Sequence, residues 1–260
     1  SKRKLVMKLG IIGGSGLDDP SLLKNAEEHS LDTPYGPTSS PLLCGTLDGV
    51  DVVFLSRHGR EHTIPPCSIN SRANIWALKE AGCDSILATA ACGSLREEMD
   101  RGHLVLPDQF IDFTRHRQVT FHESFKPGIM NAVHVPMAEP FDERLRCVVN
   151  KAAKHLKIPV HPKGTILTIE GNRFSTRAES NMFRMWGADL VNMTVAPEVI
   201  LANELQLPYA AVAVVTDYDC WKTDEPPLKV EDLVQVFMAN VEKLNQVLLQ
   251  AIRELRDTPA

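Results

Sequence analysis

Nowhere in the 260 residues is there a run of about 18 consecutive apolar residues, so no segment reads as a membrane-spanning helix. The basic excess that a nucleic-acid groove needs is also missing: Lys and Arg number 28 against 33 Asp and Glu, a formal net charge of −5. Any phosphate-bearing ligand must then be held by a local cluster of donors, not by the overall field. Six cysteines occur (Cys44, Cys67, Cys83, Cys92, Cys147, Cys220), none as C-x-x-C and none at zinc-ligand spacing with the nine histidines. That pattern speaks for reduced thiols over a disulfide framework or a metal site. No repeat, low-complexity tract or Pro/Gly/Ser-rich linker divides the chain, and a 43% apolar composition is enough for a full core, so residues 1–260 are expected to form a single domain. The basic start Ser1-Lys2-Arg3-Lys4 precedes an apolar part too short for a signal peptide. Residues 1–7 are therefore expected to be a disordered or added N-terminus with Met7 as the native initiator, and the protein to work in the cytoplasm, with the nucleus also open to it.

What is present is an alternation of short apolar runs with helical periods. Strands are expected over Leu9 to Gly13, Leu42 to Leu47, Val52 to Ser56, Ser85 to Ala91, Leu104 to Leu106, Gly164 to Ile169, Asp189 to Met193 and Tyr209 to Thr216. One helical face joins Phe141, Leu145, Val148, Val149, Ala152 and Leu156, and another joins Leu233, Val234, Phe237, Val241, Leu244, Leu248, Ile252 and Leu255. Thr176 with Glu179 three residues on has the form of a capping box and starts a helix through Met182, Phe183 and Trp186. The fold class is α/β, with a mostly buried mixed sheet flanked by helices.

Four segments carry chemistry. Thr216-Asp217-Tyr218-Asp219 closes the apolar run Ala210 to Val215, which places two carboxylates at the carboxyl end of a buried strand, where open α/β sheets hold ligands. Residues two apart in extended chain project to one side, roughly 6 to 7 Å apart. Like charges so close, among apolar neighbours, favour keeping one carboxyl protonated near neutral pH as a general acid; a solvated turn is the other reading. Gly13-Gly14-Ser15-Gly16 follows the first strand and is either a tight turn or an anion-wrapping loop; it fits neither G-x-G-x-x-G nor the P-loop pattern. At the end of the strand Val52 to Ser56, Arg57 and His58 offer donors suited to phosphate, or form a basic turn. Asn192-Met193-Thr194 precedes Pro197-Glu198, a natural first helical turn, so Thr194 reads as a cap or as an anion donor and Met193 as core or as an apolar surface for a sugar. In Glu170 to Ser175, Phe174 reads as a base-stacking ring or as a staple into the next helix.

Together these segments ask for phosphate, a sugar and a flat base beside a carboxyl acid. The chain also resembles the trimeric purine nucleoside phosphorylases, and within them the methylthioadenosine phosphorylases, over nearly its whole length. The likeness runs through Gly10 to Pro20, Arg57 to Thr63, Asn74 to Glu80, Ala91 to Glu98, Pro136 to Phe141, Ile169 to Gly171, Asn192 to Thr194 and Thr216 to Lys222. It implies a nucleoside phosphorylase fold, a central mixed sheet or distorted barrel, assembled as a homotrimer. It also implies phosphorolysis of 5′-methylthioadenosine to adenine and 5-methylthioribose-1-phosphate, with inorganic phosphate as co-substrate and no metal or organic cofactor, in purine and methionine salvage. Carried over residue by residue, Asp217 handles a proton at purine N7 and Asp219 holds the 6-amino group. Ser15, Arg57, His58, Thr194 and the backbone near Ala91 hold phosphate, while Met193 contacts the ribose and Phe174 the base. His62, His134, Val230 and Val234 are the candidates for the 5′ pocket. This chain departs from the family pattern in Ser15, Ala90 and Asn172, positions where threonine, threonine and proline are common. A 6-oxopurine nucleoside phosphorylase, or a non-catalytic nucleoside sensor, would share much of the pattern; a carboxylate at Asp219, an acceptor, favours a 6-amino base.

Overall fold

The computed structural model describes residues 8–13, 23–226 and 229–257. Among them, β1 (Lys8–Gly13), β4 (Val50–Ser56), β5 (Ser85–Ser94) and β11 (Tyr209–Tyr218) run parallel, with β1 between β4 and β5 and β11 on the far side of β5. Their carboxyl ends therefore open at one edge. β2 (Lys24–His29) and β3 (Leu42–Leu47) extend the sheet antiparallel beyond β4, while β10 (Leu190–Asn192), β9 (Thr165–Ile169) and β7 (Gln109–Phe113) extend it from the end of β5. β6 (Leu104–Val105) and β8 (Val160–His161) continue past β11, which completes an eleven-stranded mixed sheet that branches at β5.

Strand alternation sends apolar side chains to both faces. On one, Leu9, Ile11, Phe54, Val212 and Val214 pack with Leu145 and Val149 of α2 (Glu143–His155) and with Leu244, Val247, Leu248 and Ile252 of α5 (Val230–Asp257). On the other, Ile12, Leu55, Ile86, Ala211, Ala213 and Val215 meet Ile75 and Leu78 of α1 (Ser71–Glu80) and Val195 and Val199 of α4 (Val195–Glu204). The capping box announced by Thr176 and Glu179 is present at α3 (Arg177–Met185). Asp142 caps α2 by accepting from the Leu145 amide at 2.9 Å. No helix among the described residues is long and apolar enough to cross a membrane.

The eight expected strands all form, Leu42 to Leu47 with its ends as expected and the others with shifted ends. β5 continues three residues past Ala91 because Gly93 and Ser94 pair with both β10 and β11. β11 continues to Tyr218 through a bulge between Val215 and Asp217. Three strands were not expected. β2, all of whose residues are exposed, reads Lys-Asn-Ala-Glu-Glu-His and has no apolar alternation, as suits a charged edge that discourages further pairing. β7 is half-buried with an unremarkable pattern, and β8 is two residues long.

Candidate active site

The carboxyl ends of β4, β5 and β11, the loops after β9 and β10, and the first turns of α5 enclose a cavity of about 770 Å³. Arg57, His58, His62, Ala91, Phe174, Met193, Thr194, Asp217, Asp219, Val230 and Val234 all line it. Ser15 lies outside the described residues. His134 does not line the cavity; it is exposed, with its ring 5.8 Å from that of Phe125.

Both carboxylates are buried, Asp217 at 6% and Asp219 at 5% exposure, so the solvated-turn reading falls away. The bulge brings Asp217 opposite Gly93, and the Asp219 amide donates to Ser94 O at 3.0 Å. A Cβ at Gly93 would lie 3.1 Å from Asp217 Oδ2 and 3.5 Å from Asp219 Cβ, so both acids stand close over Gly93, where a side chain would crowd Asp217. Burial pushes the Asp217 carboxyl up to about 7, with the charge of Asp219 adding to it and a hydrogen bond from Thr216 opposing it. That hydroxyl sits 2.7 Å from Asp217 Oδ1 and 3.2 Å from Cys92 O. The Asp219 carboxyl is also raised, first by burial, against hydrogen bonds from the Ser180 hydroxyl and the Cys220 amide. Its Oδ2 is buried with no hydrogen-bond partner among the described residues.

Facing the acids is a donor cluster. Arg57 is 3% exposed and lies against Glu198: Nε donates to Oε1 at 2.5 Å and Nη2 to Oε2 at 3.0 Å, while Nη1 donates to Thr89 O at 2.9 Å. Three of the five guanidinium N–H groups are thereby engaged, which leaves one on each terminal nitrogen outside these contacts. His58 has a different part from the expected second donor. Its Nδ1 lies 2.9 Å from Ile64 O, and since a carbonyl only accepts, Nδ1 carries the hydrogen. Burial, then the nearby Arg57 and His62, lowers its pKa to about 4. The neutral ring presents Nε2 as an acceptor, matched to a phosphate oxygen that bears a proton. Ala91, the one exposed residue of β5, lines the same cavity.

Thr194 is not spent as a cap. Asn192 Oδ1 accepts from the amides of Thr194 and Val195 at 2.7 and 2.8 Å, Thr168 Oγ1 accepts from Ala196 at 3.1 Å, and no side-chain cap bond from Thr194 forms. The Thr194 hydroxyl is thus left on the cavity wall. Phe174 is 39% exposed on the cavity rim, which disfavours the staple reading. Gly171, at φ +76°, would place a Cβ 2.9 Å from Met193 Sδ, so this glycine fixes where the methionine can lie. The loop is anchored by Glu170, which accepts from the Arg115 and His116 amides at 2.5 and 3.0 Å and from Arg117 Nε at 3.2 Å. Gly93 and Arg117 were not singled out in the sequence, while Thr216 was named only as the start of the acid tetrad and Glu198 only as part of a first helical turn. Only Glu198 carried a signal, an acid inside the apolar stretch Val195 to Ala202.

A model of the phosphorylase superfamily matches residues 8–253. The S-methyl-5′-thioadenosine phosphorylase of Xenopus tropicalis is 51% identical over 250 residues, 96% of this chain and 89% of that protein. That of Drosophila melanogaster is 50% identical over 248 residues, 95% of this chain and 86% of its own length. Among solved structures, the methylthioadenosine phosphorylase from Schistosoma mansoni in complex with adenine superposes with a TM-score of 0.89 at 44% identity, covering 96% of this chain and 92% of that one. A mutant of the Schistosoma mansoni enzyme in complex with methylthioadenosine is similar at a TM-score of 0.88 and 43% identity, covering 96% and 91%.

Proposed function

The chain belongs to the phosphorylase superfamily, and on that premise we propose that it cleaves the N-glycosidic bond of 5′-methylthioadenosine with inorganic phosphate, releasing adenine and 5-methylthioribose-1-phosphate. The carrying observation is that one cavity is lined both by a buried acid, Asp217, whose pKa stands near 7, and by the donors Arg57 and Thr194. Breaking the bond builds positive charge on the ribose and negative charge on the purine. Asp217 supplies a proton at N7 as the base departs. Asp219 accepts from the 6-amino group. Phosphate is held by Arg57, by the Thr194 hydroxyl and by the backbone at Ala91, with His58 Nε2 accepting from its protonated oxygen; its charge lies beneath the developing sugar cation. Phe174 covers the base and Met193 the ribose, while His62, Val230 and Val234 face the 5′ substituent. The glycine loop with Ser15 would complete the phosphate shell.

Phosphate itself is the nucleophile, so the reaction needs neither metal nor organic cofactor, and a single domain in the cytoplasm suffices. The chain works as a homotrimer: Ile129 and Met130 are 90% and 92% exposed, an apolar prominence suited to a neighbouring copy, and the exposed His134 beside it would then reach that neighbour's 5′ pocket. Sedimentation should give three times the mass of the chain, and a monomer would remove this part of the reading. The test of the reaction is adenine release from methylthioadenosine in EDTA-containing buffer with and without phosphate, with inosine as a control substrate. Release should require phosphate or arsenate. An equal rate in phosphate-free buffer would mean a hydrolase and end the proposal.

Asp219→Asn replaces an acceptor-only group by one that can also donate. The kcat/KM ratio of adenosine-type to inosine-type substrates should fall by about tenfold or more, the scale set by leaving a base-recognising polar group mismatched. An equal loss on both classes would make Asp219 a structural partner of Asp217.

A further inference from the structure

We propose that Glu198, backed by Tyr209, is a positioning residue for the phosphate co-substrate, acting through the Arg57 guanidinium. The inference rests on the reading that phosphate is the nucleophile and Arg57 its ligand. Glu198 stands on α4, 1% exposed and 141 positions along the sequence from Arg57. Its two oxygens take Nε and Nη2 in a planar fork, the arrangement that fixes a guanidinium in both position and plane. Tyr209, also buried, donates to Glu198 Oε2 at 2.8 Å, and Thr89 O takes Nη1 from the other side. Three elements, α4, β5 and β11, thus hold the guanidinium, and one N–H on each terminal nitrogen stays outside these contacts. Since Arg57, Thr89 and Thr194 line the same cavity, those groups are aimed before any anion arrives.

The charges argue for the same role. A lone guanidinium at 3% exposure bears a heavy desolvation cost, and the Glu198 carboxylate offsets it. The pair also leaves the arginine less attractive to anions than an unpaired cation would be. Glu198 therefore gives up some attraction for phosphate and in return holds the donors in the plane where phosphate must sit. Removing its charge alone should strengthen phosphate binding if attraction were the dominant effect, and weaken it if orientation is. The sign of the change decides.

The experiment compares Glu198→Gln, Tyr209→Phe and Arg57→Lys with wild type, measuring KM for phosphate, KM for methylthioadenosine and the rise in Tm on adding phosphate. Glutamine keeps the shape, yet its amide N–H₂ opposes one arginine donor, so the fork is lost. Phosphate KM should rise about tenfold or more in Glu198→Gln, the fold-change that a lost charge-assisted hydrogen bond yields, with methylthioadenosine KM near wild type and a smaller Tm response to phosphate. Tyr209→Phe should show the same split at smaller size, and decides the matter by the same criterion should Glu198→Gln not fold. A merely structural role would lower Tm and leave the ratio of the two KM values alone. If Arg57→Lys raises phosphate KM while Glu198→Gln and Tyr209→Phe leave it unchanged or lower it, the positioning role is overturned. If Arg57→Lys also leaves it unchanged, the phosphate reading of Arg57 fails instead.

Discussion

Replacing Asp217 by asparagine is expected to lower kcat by about 100-fold or more, the usual scale for a lost general acid, with little change in KM for phosphate. Asparagine fills the same volume and still accepts from Thr216, so the fold around Gly93 has no reason to shift. On the proposed role of Asp217 the active form is the protonated one, and kcat should fall as pH rises through about 7, where the Asp217 carboxyl loses its proton. That limb of the pH profile should vanish from the variant's residual rate. Stability provides an independent check. Because the folded-state pKa is raised, Asp217 contributes stability that is fully present below the ordinary carboxyl value of 3.8 and is lost as pH rises through about 7. The asparagine variant has no such dependence, so its Tm relative to wild type should increase between pH 5 and 8. A variant that keeps wild-type kcat and the same pH limb would remove Asp217 from the proton-transfer role.

Arg57→Ala is expected to do more damage to the fold than a binding-site truncation ordinarily does. The change removes the donors proposed for phosphate, and it also strands the Glu198 carboxylate, 1% exposed, with the Tyr209 hydroxyl as its remaining partner among the described residues. Breaking a buried pair on one side costs about 3 to 5 kcal/mol. For a chain of this size that is roughly 6 to 20 °C in Tm, taking about 2 to 4 °C per kcal/mol. The double variant Arg57→Met with Glu198→Leu removes both charges and should recover part of that loss, while phosphate-dependent adenine release stays absent. Differential scanning calorimetry of the two, beside wild type, separates the contributions. A single variant as stable as wild type would show that Glu198 finds a partner elsewhere.

The location of the site could be read from the chain because its pieces sit at ends of apolar runs. Strand ends such as Val215-Thr216-Asp217 announce themselves by an abrupt change from β-branched residues to acids, and that change is local. The capping box of α3 was legible for the same reason, all its partners lying within four residues. What stayed hidden depends on contacts between distant residues. Arg57 reads as a free cation in sequence, and nothing within its own segment reveals a carboxylate 141 positions away. The same holds for His58: donor or acceptor is decided by Ile64 O, and only the folded turn brings that carbonyl to Nδ1. The bulge at Thr216 likewise shows no signature, since neither glycine nor asparagine marks it, yet it sets Asp217 over Gly93. β2 was missed because a charged edge strand has the composition of a loop.

The place of β11 beside β5 bears on how the protein is made. Its strand partners are distant in sequence: its first residue is 209, and the partner it must find ends at Ser94. A ribosome that has translated up to α4 has therefore released β5 with one long apolar flank, Ile86 to Ala90, bare of its mate. Such an edge invites pairing with other nascent chains. Synthesis at about 5 to 20 residues per second keeps that exposure to a matter of seconds, long enough for a chaperone to matter. Fragments ending before residue 209 should consequently appear as insoluble material, and slowing translation across the stretch from α3 to α4 should lower the soluble yield of an otherwise unaltered chain.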